Sequence, residues 1–155
     1  IALLALHFDV PVEMLGGKEG PTVGQRSIVK VPLLNGTGND SRSQWRLVDA
    51  AWLGRLCDQP ASVAILPIVG EAMEPTLRNG DEVMISRVRF QESVREGLYA
   101  IRGSSEIFVR RIAIDPTKNR LTVLTDHPAY PSWQGIQRKG VDIVGRVIWI
   151  GARVA

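Results

Sequence analysis

The stretch Gly70-Glu71-Ala72-Met73-Glu74-Pro75-Thr76-Leu77 has the make-up of a corner that presents a nucleophile. A glycine and an acidic residue turn the chain, and the residues after them begin a short helix. Position 72 is therefore where a serine hydroxyl would be held out to attack a carbonyl. The residue there is Ala72, which has no nucleophile. The backbone amides of Ala72 and Met73, at the start of the predicted helix, could still form a pocket of the oxyanion-hole kind. A pocket without nucleophile or base does no hydrolysis.

The elements that must hold this corner are short and rich in β-branched residues. Runs at 28–33, 63–69, 82–87, 98–102, 107–114, 120–125 and 141–150 read as strands. Turn residues separate them, at Asn79-Gly80-Asp81, Arg102-Gly103-Ser104-Ser105 and Asp115-Pro116-Thr117-Lys118-Asn119. Two short helices are expected, at 50–56 after Asp49 and at 72–77. Asn35-Gly36-Thr37-Gly38-Asn39-Asp40-Ser41 reads as an exposed, mobile loop. Hairpin-sized connections between so many strands predict a mainly β fold of strongly bent antiparallel sheets, barrel-like, with short helices.

The 155 residues are 45% hydrophobic and 23% charged, enough for one compact domain with a short appendage but not for two. The net charge of +3 comes from scattered residues, and Arg110-Arg111 and Arg138-Lys139 are the densest basic groups. No basic tract tracks a phosphate backbone. Cys57 is the single cysteine, so no intrachain disulfide can form, and its apolar setting reads as a structural thiol. His7 and His127 lie far apart without metal-ligand spacing, so neither a metal nor a cofactor is expected. No apolar run reaches membrane-spanning length, so no membrane partner is expected, and the single cysteine with no visible secretion signal points to the reducing cytoplasm.

The chain begins with Ile1 rather than Met and reads as a fragment. Residues 1–15 look like the end of one helix and a short second helix capped at Asp9; residues 16–27, opening on Gly16-Gly17, look like a linker. The domain proper is expected at 28–155.

Four segments in order carry a resemblance: "VGEAMEPTLRNGDEVMISR", "GLYAIRG", "IFVRRIAI" and "VDIVGRVIWI". Together they resemble the C-terminal domain of LexA-like and lambda-CI-like repressors, the self-cleaving Ser/Lys peptidase family. Residues 1–15 resemble the end of the helix-turn-helix DNA-binding domain that precedes this module. Position by position, the resemblance implies that Ala72 stands where the family has its serine and Arg110 where it has its lysine base. Gly70, Glu71, Met73, Glu74 and Pro75 would then frame a relic cleft. Glu71 and Glu74, beside Ala72, are the local candidate carboxylates to pair with Arg110. Strand alternation puts Arg110 and Arg111 on opposite faces, one toward the cleft and the other toward solvent or a partner.

Relatives that cut themselves present Ala-Gly or Cys-Gly ahead of the domain. This chain has neither dipeptide; Asn35, Gly36, Thr37 and Gly38 are the candidate cleavage loop, and the linker offers Gly16-Gly17 as another candidate. Trp45, Trp52, Trp133 and Trp149 are expected as core or interface anchors, with Val147 and Trp149 on a last strand that the resemblance places in a homodimer interface.

The implied function is the dimerisation and regulatory domain of a helix-turn-helix repressor, a pseudo-peptidase that binds operator DNA through its upstream domain. An antirepressor protein or a ligand in the relic cleft would release it. The alternative is a Ser/Lys autopeptidase of the DNA-damage response, triggered by a RecA filament and seen with its nucleophile replaced by Ala72. A polymerase accessory subunit of the same fold is a third reading, disfavoured by the helical residues ahead of the linker.

Overall fold

The computed structural model describes residues 27–87 and 94–154. The expected helices and linker at 1–26 lie outside them. Nine strands follow in chain order: β1 (Ile28–Leu34), β2 (Asp40–Asp49), β3 (Val63–Pro67), β4 (Glu82–Ser86), β5 (Gly97–Arg102), β6 (Ile107–Asp115), β7 (Arg120–Leu124), β8 (Trp133–Ile136) and β9 (Asp142–Gly151). One helix, α1 (Ala50–Leu56), leaves β2 directly. The Asp49 carboxylate caps it by accepting the Trp52 amide at 2.8 Å, and Leu53 on its inner face is wholly buried.

The strands hydrogen-bond in the order β2-β1-β3-β4-β9-β5-β6-β7-β8. All pairs are antiparallel except the single bridge Leu33↔Ile65 between β1 and β3. The expected barrel-like closure is wrong: β2 pairs with β1 alone and β8 with β7 alone, so the sheet is open. Two features explain why it stays open. β8 is only four residues, carries Gly135 at φ +65°, and breaks register against β7, which ends the ladder. The apolar side chains also form three separate cores rather than one enclosed by the sheet. The first joins β3, β4 and β6 beneath the 70–77 corner, the second seats α1 on β1 to β4, and the third lies under β5, β6 and β7.

β9 runs between β4 and β5 and joins the two halves. A side chain at Gly145 would put its Cβ 2.7 Å from the Ser86 carbonyl oxygen, so only glycine lets the two backbones approach this closely.

Three local expectations change. The 35–41 segment is not one loose loop: a turn at 35–39 joins β1 to β2, which already begins at Asp40. The Asn35 Oδ1 ties that turn by accepting from the Thr37 amide, the Thr37 hydroxyl and the Asn39 amide. The predicted helix at 72–77 is a run of turns, closed by Glu74 N to Glu71 O and Leu77 N to Met73 O. Pro75 has no amide to donate, which limits the helical ladder there. The strand expected over 63–69 ends at Pro67.

Leu53→Ala should lower stability by about 2–5 kcal/mol, read from the urea midpoint, because it empties the centre of the second core.

Candidate functional site

The corner is rooted by apolar burial and opened by glycine. Met73 and Leu77 are buried in the first core, while Gly70 turns at φ +86°, where a side chain would be strained. The Asn79 Oδ1 accepts the Gly70 amide at 2.9 Å, and the buried Asp81 carboxylate accepts the amides of Arg78 and Arg153 at 2.8 and 3.2 Å. These bonds fix the far end of the loop to the last residues of the chain.

A cavity of about 300 Å³ opens beside the corner. Ala72 and Arg110 both line it. So do Gly70, Glu71 and Met73, with Glu106, Phe108 and Tyr130 from the facing elements and Gly36 from the β1–β2 turn. Glu74 and Pro75, expected in this cleft, are not among its lining residues. Of the candidate cleavage loop only Gly36 reaches it, because the turn is strapped to its rim. The Gly36 carbonyl accepts the Ile107 amide at 2.8 Å, and the Thr37 carbonyl accepts from Arg102 at 2.9 Å.

Arg110 is held against its own strand. Its guanidinium lies 4.6 Å from the centre of the Phe108 ring, two residues away on the same face, and donates to the Val109 carbonyl at 2.7 Å. The buried Nε has no protein acceptor among the described residues. Burial pushes this guanidinium below its ordinary pKa, opposed by the charges of Glu106 and Tyr130. Glu106, rather than the expected Glu71 or Glu74, is thus its carboxylate neighbour. Among the described residues the amides of Ala72 and Met73 donate to no protein group.

Arg111 turns the other way, as alternation requires. It clamps Asp126 in a fork, with Nε to Oδ1 at 2.9 Å and a terminal nitrogen to Oδ2 at 2.7 Å. The Thr76 hydroxyl donates to the same Oδ2 at 2.6 Å. One residue on, the His127 amide donates to the Ala72 carbonyl at 3.1 Å, and its ring meets Tyr130 edge-on at 5.4 Å. Residues 126–130 therefore clasp the corner from behind.

Residues 37–148 match the peptidase S24-like family. The chain belongs to that family. A 26 kDa repressor protein of Escherichia phage HK022 is 32% identical over 72 residues, a stretch covering 46% of this chain and 29% of the phage protein. The match thus spans less than a third of that relative's length.

Within this S24-like domain, sequence reasoning located the corner and the facing strand but missed the clasp. Thr76 lay inside the corner motif but was given no role, and Asp126, His127 and Tyr130 carried no motif; the only signal for them was turn chemistry in Thr125-Asp126-His127-Pro128, just after an apolar strand. His127, expected as structural or solvent-facing, is structural in a specific way, through its amide on Ala72 and its Nδ1 accepting the Ala129 amide at 3.1 Å. Val147 packs against the first core, whereas Trp149 is 36% exposed and rests edge-on against Trp52 at 6.0 Å. No helix among the described residues is long and apolar enough to cross a membrane.

Hydrogen bonds from Arg111 hold the Asp126 carboxyl below the usual carboxylate range, with Thr76 adding to the effect. A depressed folded-state pKa stabilises the fold above the unfolded-state value, and that stability is lost as pH falls through the folded one. Asp126→Asn should therefore cost about 1 kcal/mol at neutral pH, with the difference from the parent vanishing in acid; urea melts across the acidic range measure it.

Proposed function

We propose that this chain is the dimerisation and regulatory domain of a helix-turn-helix transcriptional repressor, and that it does not cleave itself. One observation carries the reading: Ala72 and Arg110 line the same cleft, at the positions where the family's resemblance puts nucleophile and base. Serine must give up a proton to attack a peptide bond, and a desolvated lysine can take it once neutral. Alanine offers no oxygen, and a guanidinium keeps its proton. Stacked on Phe108 and bonded to the Val109 carbonyl, Arg110 serves as a fixed cation and hydrogen-bond donor.

The family match and the phage relative named as a repressor support a role in transcription control. In this reading the upstream domain binds a palindromic operator and the present domain pairs two copies. Pairing raises the effective concentration of the second half-site contact. Trp149, exposed on β9, supplies an apolar anchor for that pairing. Release then needs a partner such as an antirepressor protein, because self-cleavage is not available.

Ala72→Ser is expected to leave the chain whole at every pH, since Arg110 cannot accept the serine proton; fragments of that variant in an intact-mass spectrum would contradict the reading. Trp149→Ala should weaken self-association by about 2 kcal/mol, or some thirtyfold in dimer dissociation constant. Sedimentation equilibrium reads this directly, and an unchanged constant would remove β9 from the interface.

A further inference from the structure

The chain carries two Asn-Gly pairs, Asn35-Gly36 and Asn79-Gly80. Such a pair can react with itself, because glycine leaves the following amide nitrogen unshielded beside the asparagine side-chain carbon. The two pairs sit in opposite settings. The Gly80 amide donates to the Ile68 carbonyl at 2.9 Å, and the Asn79 Oδ1 accepts a single amide, that of Gly70. The Gly36 amide donates to no protein group among the described residues, and both Asn35 and Gly36 are exposed in the β1–β2 turn.

The Asn35 side chain is set up as an electrophile. Its Oδ1 accepts the Thr37 amide at 3.2 Å, the Thr37 hydroxyl at 2.7 Å and the Asn39 amide at 2.9 Å. These donors draw electrons from Cγ and stand where negative charge would build on Oδ1 during an attack, as the donors of an oxyanion hole do. The bond from the Thr37 amide to Oδ1 also closes a ring that contains both Cγ and the Gly36 nitrogen, which limits how far the two can part. The Nδ2 group, which must leave, has no protein acceptor among the described residues. A Cβ on Gly36 would meet no atom within 4 Å, so hydroxide has room to reach the nitrogen.

We propose that Asn35-Gly36 is a site of spontaneous deamidation whose product unties the rim of the cleft. Hydroxide takes the Gly36 amide proton, the nitrogen attacks Asn35 Cγ, and the tetrahedral adduct expels Nδ2, which leaves as ammonia. A five-membered succinimide remains. Water then opens the ring at either carbonyl. Breaking the new bond from nitrogen to Cγ gives an aspartate; breaking the original main-chain bond gives an isoaspartate, with the chain running through Cγ and a free α-carboxylate. Ammonia is lost and water gained, with no change of oxidation state. The isoaspartate lengthens the main chain by one carbon just before Gly36, whose carbonyl holds the Ile107 amide at 2.8 Å. That strap then opens beside the cavity that Gly36 lines, whether or not the cleft cuts.

The test incubates the chain at mildly alkaline pH, folded and in urea, followed by tryptic digestion and mass spectrometry. Trypsin places Asn35 and Asn79 in separate peptides, 31–42 and 79–87, and fragment spectra distinguish Asn35 from Asn39. Each event raises a peptide's mass by the difference between water and ammonia, and isoaspartate elutes apart from aspartate. In the folded chain Asn35 should react about tenfold faster than Asn79, whose glycine amide must first give up its hydrogen bond. In urea the two rates should converge. Thr37→Val, which removes one donor to Oδ1, should slow the reaction about fivefold. Hydrogen exchange at the Ile107 amide should be faster in the isoaspartyl chain than in fresh protein. The inference is overturned if Asn35 reacts no faster than Asn79 in the folded chain, if Thr37→Val speeds the reaction, or if Ile107 stays equally protected in the isoaspartyl chain.

Discussion

A β-strand offers consecutive side chains to opposite faces, and the site depends on that constraint at Arg110 and Arg111. Arg110 goes into the cleft, where Phe108, two residues back on the same face, gives its guanidinium a ring to lie on. Arg111 goes behind, where it grips Asp126. Through Asp126 the grip extends to Thr76, and the neighbouring His127 amide holds the Ala72 carbonyl. Two adjacent arginines thus do different jobs, one inside the site and one fixing the loop that frames it. Burial of Met73 and Leu77 anchors the corner from below, so the cleft is braced on both sides.

On the proposed reading, this bracing accounts for a peptidase-family cleft that keeps its shape without its chemistry. Nothing in the clasp uses a nucleophile or a base. The bonds that shape the corner run through Asn79, Asp81, Thr76, Asp126 and backbone amides, and none of them uses the side chain at position 72. A site so built can lose hydrolysis and keep a surface for binding. The strapped turn at Gly36 borders the cleft.

Much of this was legible in the sequence because local chemistry and burial agreed. The helix at 50–56 was read to the residue, since Asp49 caps it and its buried leucine follows at helical spacing. Strands with apolar inner faces, such as β4 and β6, were found within a residue or two. The misses share a cause. β2 is an edge strand whose Trp45 and Leu47 are exposed and whose start is polar, so it lacks the alternation that marks a half-buried strand. β8 is too short and glycine-broken to register. Sheet closure is set by which edges find partners, and no single segment encodes that. At the site, the facing pair Ala72 and Arg110 was readable from motif order. The clasp joins residues 50 positions apart, Thr76 and Asp126, and leaves no pattern in either segment.

The central claim is that the fold of a self-cutting family is present here without the cut. Its most direct test is intact-mass analysis of the full-length protein after incubation at alkaline pH, with and without activated RecA filament. Alkali would neutralise a lysine base but leaves an arginine charged. The account predicts a single unbroken chain under every condition. Two fragments whose masses sum to the parent plus one water would contradict it.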